Sequence, residues 1–149
     1  MELKLSLELP EDRSHVRLTR ILVRAMLEHL RVQDSEIDDL ELVVGELCAN
    51  VVRHSRSRDG RFLVGLECIA DQFVVSVRDK GKGFGQKELP EAGTPREDFD
   101  GSLRIGGFGL QIVRQLSDKL DLARARGDGA VVTVRKSLHH KAGSATDWA

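Results

Sequence analysis

The chain has 149 residues, 32% of them charged, with a formal net charge of −1. That length fits one domain with a sizeable core, and that balance excludes the dense basic surface a nucleic acid or an anionic membrane would demand. Two cysteines, no tyrosine and 4% aromatics argue against a disulfide scaffold, a cysteine-rich metal site and a base-stacking platform.

No apolar run approaches the length of a membrane span, and no basic-then-apolar leader opens the chain. A cytoplasmic protein is the expectation. Leu3, Leu5, Leu7 and Leu9 alternate with polar residues, which predicts a half-buried strand over residues 2–9, ended by Pro10. A helix is predicted from Glu11 to Arg31, acids early and arginine late as its dipole favours. Its apolar residues fall on two faces, Leu18, Leu22, Ala25 and Met26 on one and Val23, Leu27 and Leu30 on the other. One face can cover a sheet; the other needs a second helix or another subunit.

The next helix, Ser35 to Ser55, organises the rest. Ile37, Leu40, Val44, Leu47 and Val51 recur at spacings of three and four, the stripe of a helix lying on a core. Ser35 is placed to cap its start, with Asp38 three residues on. Glu46, Asn50 and His54 follow at i, i+4 and i+8, so they share one face beside the stripe: either a solvated edge or the wall of a pocket.

After a loop at Arg56–Gly60, Phe62, Val64, Leu66 and Cys68 alternate, as do Phe73, Val75 and Val77. The Ala70-Asp71-Gln72 link joins them as a hairpin. The second strand runs into Asp79-Lys80-Gly81-Lys82-Gly83-Phe84. Residues 86–105 carry Pro90, Gly93, Pro95 and Gly101 among acids with no steady period, the composition of a functional lid or of disorder. Gly106-Gly107-Phe108-Gly109 then leads into a helix with Leu110, Ile112, Val113 and Leu116, ending near Asp118. Strands at 119–126 and 130–137, joined by Gly127-Asp128-Gly129, close the domain, and a flexible tail is expected over 138–149. The order β-α-α-β-β-lid-α-β-β, with strands in hairpins, predicts an α+β two-layer sandwich: a mixed, mostly antiparallel sheet with helices on one face.

Each polar motif admits two readings. Asp79 at a strand end, followed by Gly81 and Gly83, is either a turn or an acceptor for an exocyclic amine with backbone close to a flat ring. Glycines at a helix start either relieve packing or present free N–H groups to an anion. Arg104 adds charge to a phosphate or is a solvated loop residue. Asn50 suits Mg²⁺ or bonds a neighbouring loop; Glu46 takes a proton or is a surface acid; His54 caps its own helix. A P-loop is excluded, because no Gly-x4-Gly-Lys-Ser/Thr run exists.

Taken together, Glu46-x3-Asn50-x3-His54, Asp79-x-Gly81-x-Gly83-Phe84 and Gly106-Gly107-Phe108-Gly109-Leu110, in that order with a lid between the last two, resemble the nucleotide-binding boxes of the GHKL ATPase superfamily. Within it the chain most resembles the small anti-sigma factor serine kinases of the RsbW and SpoIIAB type, over about residues 2–137, including the Val16-Arg17-Leu18-Thr19 stretch. The resemblance implies a Bergerat-type fold holding ATP between helix and lid. Asn50 would hold Mg²⁺, Asp79 the adenine amine, Gly81, Gly83 and Phe84 the ring's surroundings, and Arg104, Gly106, Gly107, Gly109 and Leu110 the phosphate side. It further implies Glu46 as catalytic acid–base, Arg17 as a partner contact, a homodimer, and two partners: a sigma factor and an anti-anti-sigma protein with an acceptor serine. The family often has Gly-Thr where this chain has Gly129-Ala130, one hydroxyl fewer near the phosphates. The alternative is a nucleotide-gated module that grips a transcription regulator and transfers nothing.

Overall fold

The computed structural model describes residues 2–54, 59–79, 109–124 and 129–142. Strand β1 (Leu3–Pro10) leads through helices α1 (Arg13–His29) and α2 (Asp34–His54) into β2 (Arg61–Ile69) and β3 (Gln72–Asp79), and then α3 (Gly109–Leu116), β4 (Lys119–Arg124) and β5 (Ala130–Ser137). The sheet order is β1-β2-β3-β5-β4. The expected α+β layer is observed, with one refinement: every neighbouring pair is antiparallel, not mixed. The reason is the paired helices. They carry the chain down and back, so β2 enters beside the end of β1, with Pro10 opposite Arg61 and Glu11 N–H donating to Gly60 O at 2.7 Å.

Helix boundaries shift where local hydrogen bonds decide them. α1 starts two residues late because Asp12 caps it, accepting from Ser14 N–H at 2.8 Å. It ends early in a reversal: Val32 N–H donates to Leu27 O and Arg31 N–H to Glu28 O, with Arg31 at φ 57°. A glycine usually takes that conformation; an arginine there carries strain of about 1–2 kcal/mol. α2 starts at Asp34, one residue before the expected cap. Gln33 O, not the Ser35 side chain, marks the entry by accepting from Glu36 and Ile37 N–H.

The core lies between the two helices and one sheet face. Val23, Leu27, Ile37, Leu40 and Leu47 meet Phe62, Val64, Leu66, Phe73 and Val75, all at most 1% exposed. Each such side chain contributes about 1.5–3 kcal/mol by leaving water. Of the two apolar faces expected on α1, that of Val23, Leu27 and Leu30 is buried; on the other Met26 is buried and Leu18 stays exposed, as does Ile21, which neither face included. Arg24 fastens α1 to α2 by reaching Glu41 at 2.6 Å and Asp38 at 2.5 Å, carboxylates that push its already high proton affinity higher still. The turn of the β2–β3 hairpin sits at Ala70 and Asp71, both at positive φ (49° and 59°), a primed turn built without glycine.

Candidate nucleotide site

Chain direction gathers the motifs at one end of the sheet. α2 finishes there, since the next described strand begins at Arg61. β3 finishes there too, because Phe62 pairs with Asp79. β5 starts there: Arg78 is opposite Val131, and Ala130 N–H reaches Asp79 Oδ1 at 3.3 Å. α3 is followed by β4, whose first residue pairs with Arg135 at the far end, so the first turn of α3, with Gly109, faces back toward Asp79.

Asp79 is wholly buried. It follows Phe73, Val75 and Val77 at a spacing of two, so the strand's own period turns its carboxylate under the helices. An acid in phase with a core stripe is the signal that marks it in the sequence. Gly129 lies against it at φ +120°, and a Cβ on Gly129 would stand 2.2 Å from Asp79 O. That approach only glycine permits. The resemblance puts Gly129-Ala130 near the phosphates; that they meet Asp79, across 51 residues of chain, is not legible in the Gly-Asp-Gly run, which by itself reads as a turn.

Asn50 is 3% exposed, and among the described residues neither its Oδ1 nor its Nδ2 has a hydrogen-bond partner. A buried amide left in that state costs about 1–3 kcal/mol. The donor set therefore fits a ligand: a neutral oxygen aimed into a site suits a hard cation such as Mg²⁺. Glu46, one turn earlier, is half-buried. Behind this face, the Thr19 hydroxyl donates to Val16 O at 2.7 Å, and burial pushes the Cys48 thiol up to about 12. Thr19 is fully buried, whereas Arg17, two residues earlier, is exposed and without an ion-pair partner among the described residues. Beside it, Arg13, Val16, Ala49, Val52 and Arg53 line a cavity of about 280 Å³ between the helices. Gly45 does not open space for a visitor, because the stem of Arg20 fills it, with Cδ 2.9 Å from where a Cβ would be.

Of the expected site residues, Glu46, Asn50, Asp79, Gly109, Leu110 (6% exposed) and Arg17 lie in described elements. Gly81, Gly83, Phe84, Arg104, Gly106 and Gly107, with the expected lid at 86–105, lie outside the described residues, as does the His54 side chain. Among the described residues no helix is long and apolar enough to cross a membrane.

Residues 9–136 match the family of histidine kinase-like ATPase domains. The chain belongs to that family. The curated relatives include the serine-protein kinase RsbW of Halalkalibacterium halodurans, 27% identical over 139 residues, which are 90% of this chain and 83% of that one. The anti-sigma F factor of Clostridium beijerinckii is 26% identical over 140 residues, 91% of this chain and 95% of the relative. The anti-sigma serine-kinase kinship expected from the three boxes thus stands. Among solved structures, that of the RsbU and RsbW domains from Mycobacterium tuberculosis superposes with a TM-score of 0.66 at 19% identity. It covers 91% of this chain and 32% of the longer one, a likeness of fold.

Proposed function

We propose that this histidine kinase-like ATPase domain is an ATP-dependent serine-protein kinase and anti-sigma factor: it binds a sigma factor and phosphorylates a serine on an anti-anti-sigma protein. The observation that carries the reading is Asn50, buried with both polar atoms unpartnered among the described residues, one helical turn from a half-buried Glu46. The names of the relatives support the same reading. Bound Mg·ATP supplies the phosphoryl group and the charge neutralisation for its transfer.

The chain's own residues do the rest. Asp79, fixed by the Ala130 amide and the backbone of β5, accepts from the adenine amine. Asn50 holds the cation from the helix side. Gly109 and the first turn of α3 offer N–H groups to phosphate oxygens. Glu46 positions the incoming serine hydroxyl and takes its proton. Gly81, Gly83 and Phe84 border the ring, and Arg104, Gly106 and Gly107 serve the phosphates. Arg17, outward on α1, contacts the partner protein. The protein works in the bacterial cytoplasm as a homodimer, joined through the exposed edge of β1 or the Leu18–Ile21 face of α1.

The test is calorimetry with Mg·ATP, followed by single-turnover transfer to the cognate serine protein. Binding with phosphoserine formation supports the proposal. Binding of ATP and partners without phosphoserine leaves the nucleotide-gated module in its place. No binding at all removes both.

A further inference from the structure

The two edges of the sheet are finished differently. At one edge α3 packs on β4, and Leu122 of that strand is 1% exposed. At the other, the inward row of β1, Leu3, Leu5 and Leu7, is only half-buried. The helix layer explains the difference. α1 packs on α2, α2 packs on β3 and α3, and α3 on β4. With the sheet in the order β1-β2-β3-β5-β4, that places α1 over the β1 edge. Arg20 and Arg24 turn toward α2: Arg24 reaches Glu41 at 2.6 Å, and the stem of Arg20 lies on Gly45. Leu18 and Leu22, each two residues before one of these arginines, point to roughly the opposite side of the helix. Leu18 is 38% exposed, its neighbour Ile21 is 53% exposed, and Leu22 is half-buried. An apolar flank of α1 thus overhangs a half-open apolar row of β1. Among the described residues β1 pairs with β2 alone, and a bare strand edge is a template for another strand.

The solvent face of β1 carries the identity of that strand. Lys4, Ser6 and Glu8 alternate with the leucines and are exposed. The run Lys4-Leu5-Ser6-Leu7-Glu8 holds opposite charges at equal distances from Ser6. Laid antiparallel on a second copy of itself, about a two-fold axis at Ser6, it puts Lys4 opposite Glu8 of the copy at both ends. Leu5 then meets Leu7 of the copy, again twice, because a two-fold interface repeats every contact. Other registers fail. An axis at Leu5 sets Glu2 against Glu8, and an axis at Leu7 sets Lys4 against Pro10 and Glu8 against Ser6. An axis between residues sets leucines against polar residues, on the wrong face of the sheet.

We propose that the β1 edge seats a second copy of this chain, with the two β1 strands paired antiparallel about Ser6. The two five-stranded sheets become one, and the Leu18 flanks of the two α1 helices approach each other above the seam. This rests on the homodimer proposed above and fixes its edge, its register and its pairs. The leucine row supplies apolar burial, and the charges select the register. A lysine on an exposed edge ordinarily repels strand addition; here Glu8 of the second copy answers it.

The test uses the full chain in sedimentation runs over a range of concentrations. Lys4→Glu alone sets carboxylate against carboxylate at both pairs, and Glu8→Lys alone sets amine against amine. Each should weaken the dimer by roughly tenfold or more. Mixing the two variants makes every pair opposite in charge again, so a heterodimer of wild-type affinity should form. Ser6→Cys gives a readout independent of affinity. Directly opposed strand residues have Cα atoms about 4.5–5.5 Å apart, within disulfide reach, so mild oxidation should lock this variant as a covalent dimer. Glu8→Cys, about 14 Å from its mate, should stay unlinked. A dimer indifferent to both single swaps overturns the proposal and leaves the homodimer to another surface. So does a mixture that fails to recover, or cross-linking through residue 8 as ready as through residue 6. A chain that stays monomeric at every concentration, with or without Mg·ATP, removes the homodimer itself and this interface with it.

Discussion

The two ends of the sheet treat polar groups in opposite ways. Where α2 and β3 finish, Asn50 is buried with two atoms unpartnered among the described residues, and Gly129 is pressed onto Asp79. Where they begin, His139, His140 and Lys141 are matched one by one to Glu36, Asp71 and Asp34, at the surface. The proposed reading gives the end with the unpartnered amide to a ligand. The same α2 and the same β3 run between them, so variants at either end should separate ligand binding from stability.

The largest separation is expected at Glu46. Glu46→Gln keeps the shape and removes the base, so phosphoryl transfer should fall by roughly 10²-fold or more while Mg·ATP affinity holds. Single-turnover assays beside calorimetry read both. Loss of binding together with transfer would make Glu46 part of the nucleotide cradle instead.

Gly129→Ala should come next. A Cβ 2.2 Å from Asp79 O forces the start of β5 away, which should cost roughly 1–3 kcal/mol of stability and disturb the carboxylate. Gly60→Ala is the control at the same end: its φ is +65°, but nothing lies within 4 Å, so only backbone strain of about 1 kcal/mol is expected. Equal urea midpoints for the two variants would show that the close approach at Gly129 does not matter.

Asn50→Leu sharpens the contrast further, because its two effects should have opposite signs. Removing an unsatisfied buried amide should stabilise the empty protein by about 1–3 kcal/mol, while Mg·ATP binding is lost. Asp79→Asn should weaken binding by about 1.5–3 kcal/mol. If Asn50→Leu destabilises the empty protein as an ordinary core change does, Asn50 is a structural residue.

How far these ends were legible in the sequence follows from the range of the forces involved. Alternation in β1, β2 and β3 and the i, i+3, i+4 stripe of α2 are local, and they recovered the α+β layer with the helices on one side. The three boxes single out Asn50 and Asp79, each near the end of such a periodic element, and the structure buries both. Boundaries moved where one hydrogen bond decides, as at Asp12 and Arg31. The fit of Gly129 to Asp79 and the clasp of His140 on Leu30 and Asp71 join residues far apart in sequence, and no local pattern encodes them. A His-His-Lys run after the last strand looks like solvated tail until the turn it meets is known.

The smallest expected effects come from two thiols, one toward each end. Cys48 is two residues before Asn50 on α2; Cys68 pairs with Phe73 near the hairpin. They are 0% and 4% exposed, and burial pushes both thiols up to about 12. The folded protein thus keeps protons that the unfolded chain releases from about pH 8.5 upward. Their contribution to stability is complete below that value and declines as pH rises toward 12, by at most about 1.4 kcal/mol per unit for each thiol. Near pH 8 neither should react with an aromatic disulfide except through local opening, which makes the two rates reporters of the two ends. Between about pH 6 and 8 labelling of Cys48 should follow thiolate formation alone, about tenfold per unit, and slow when Mg·ATP is added. Labelling of Cys68 should ignore the nucleotide. Identical rates with identical pH slopes would mean that both thiols wait for the same global unfolding, and the two ends would then be one cooperative unit.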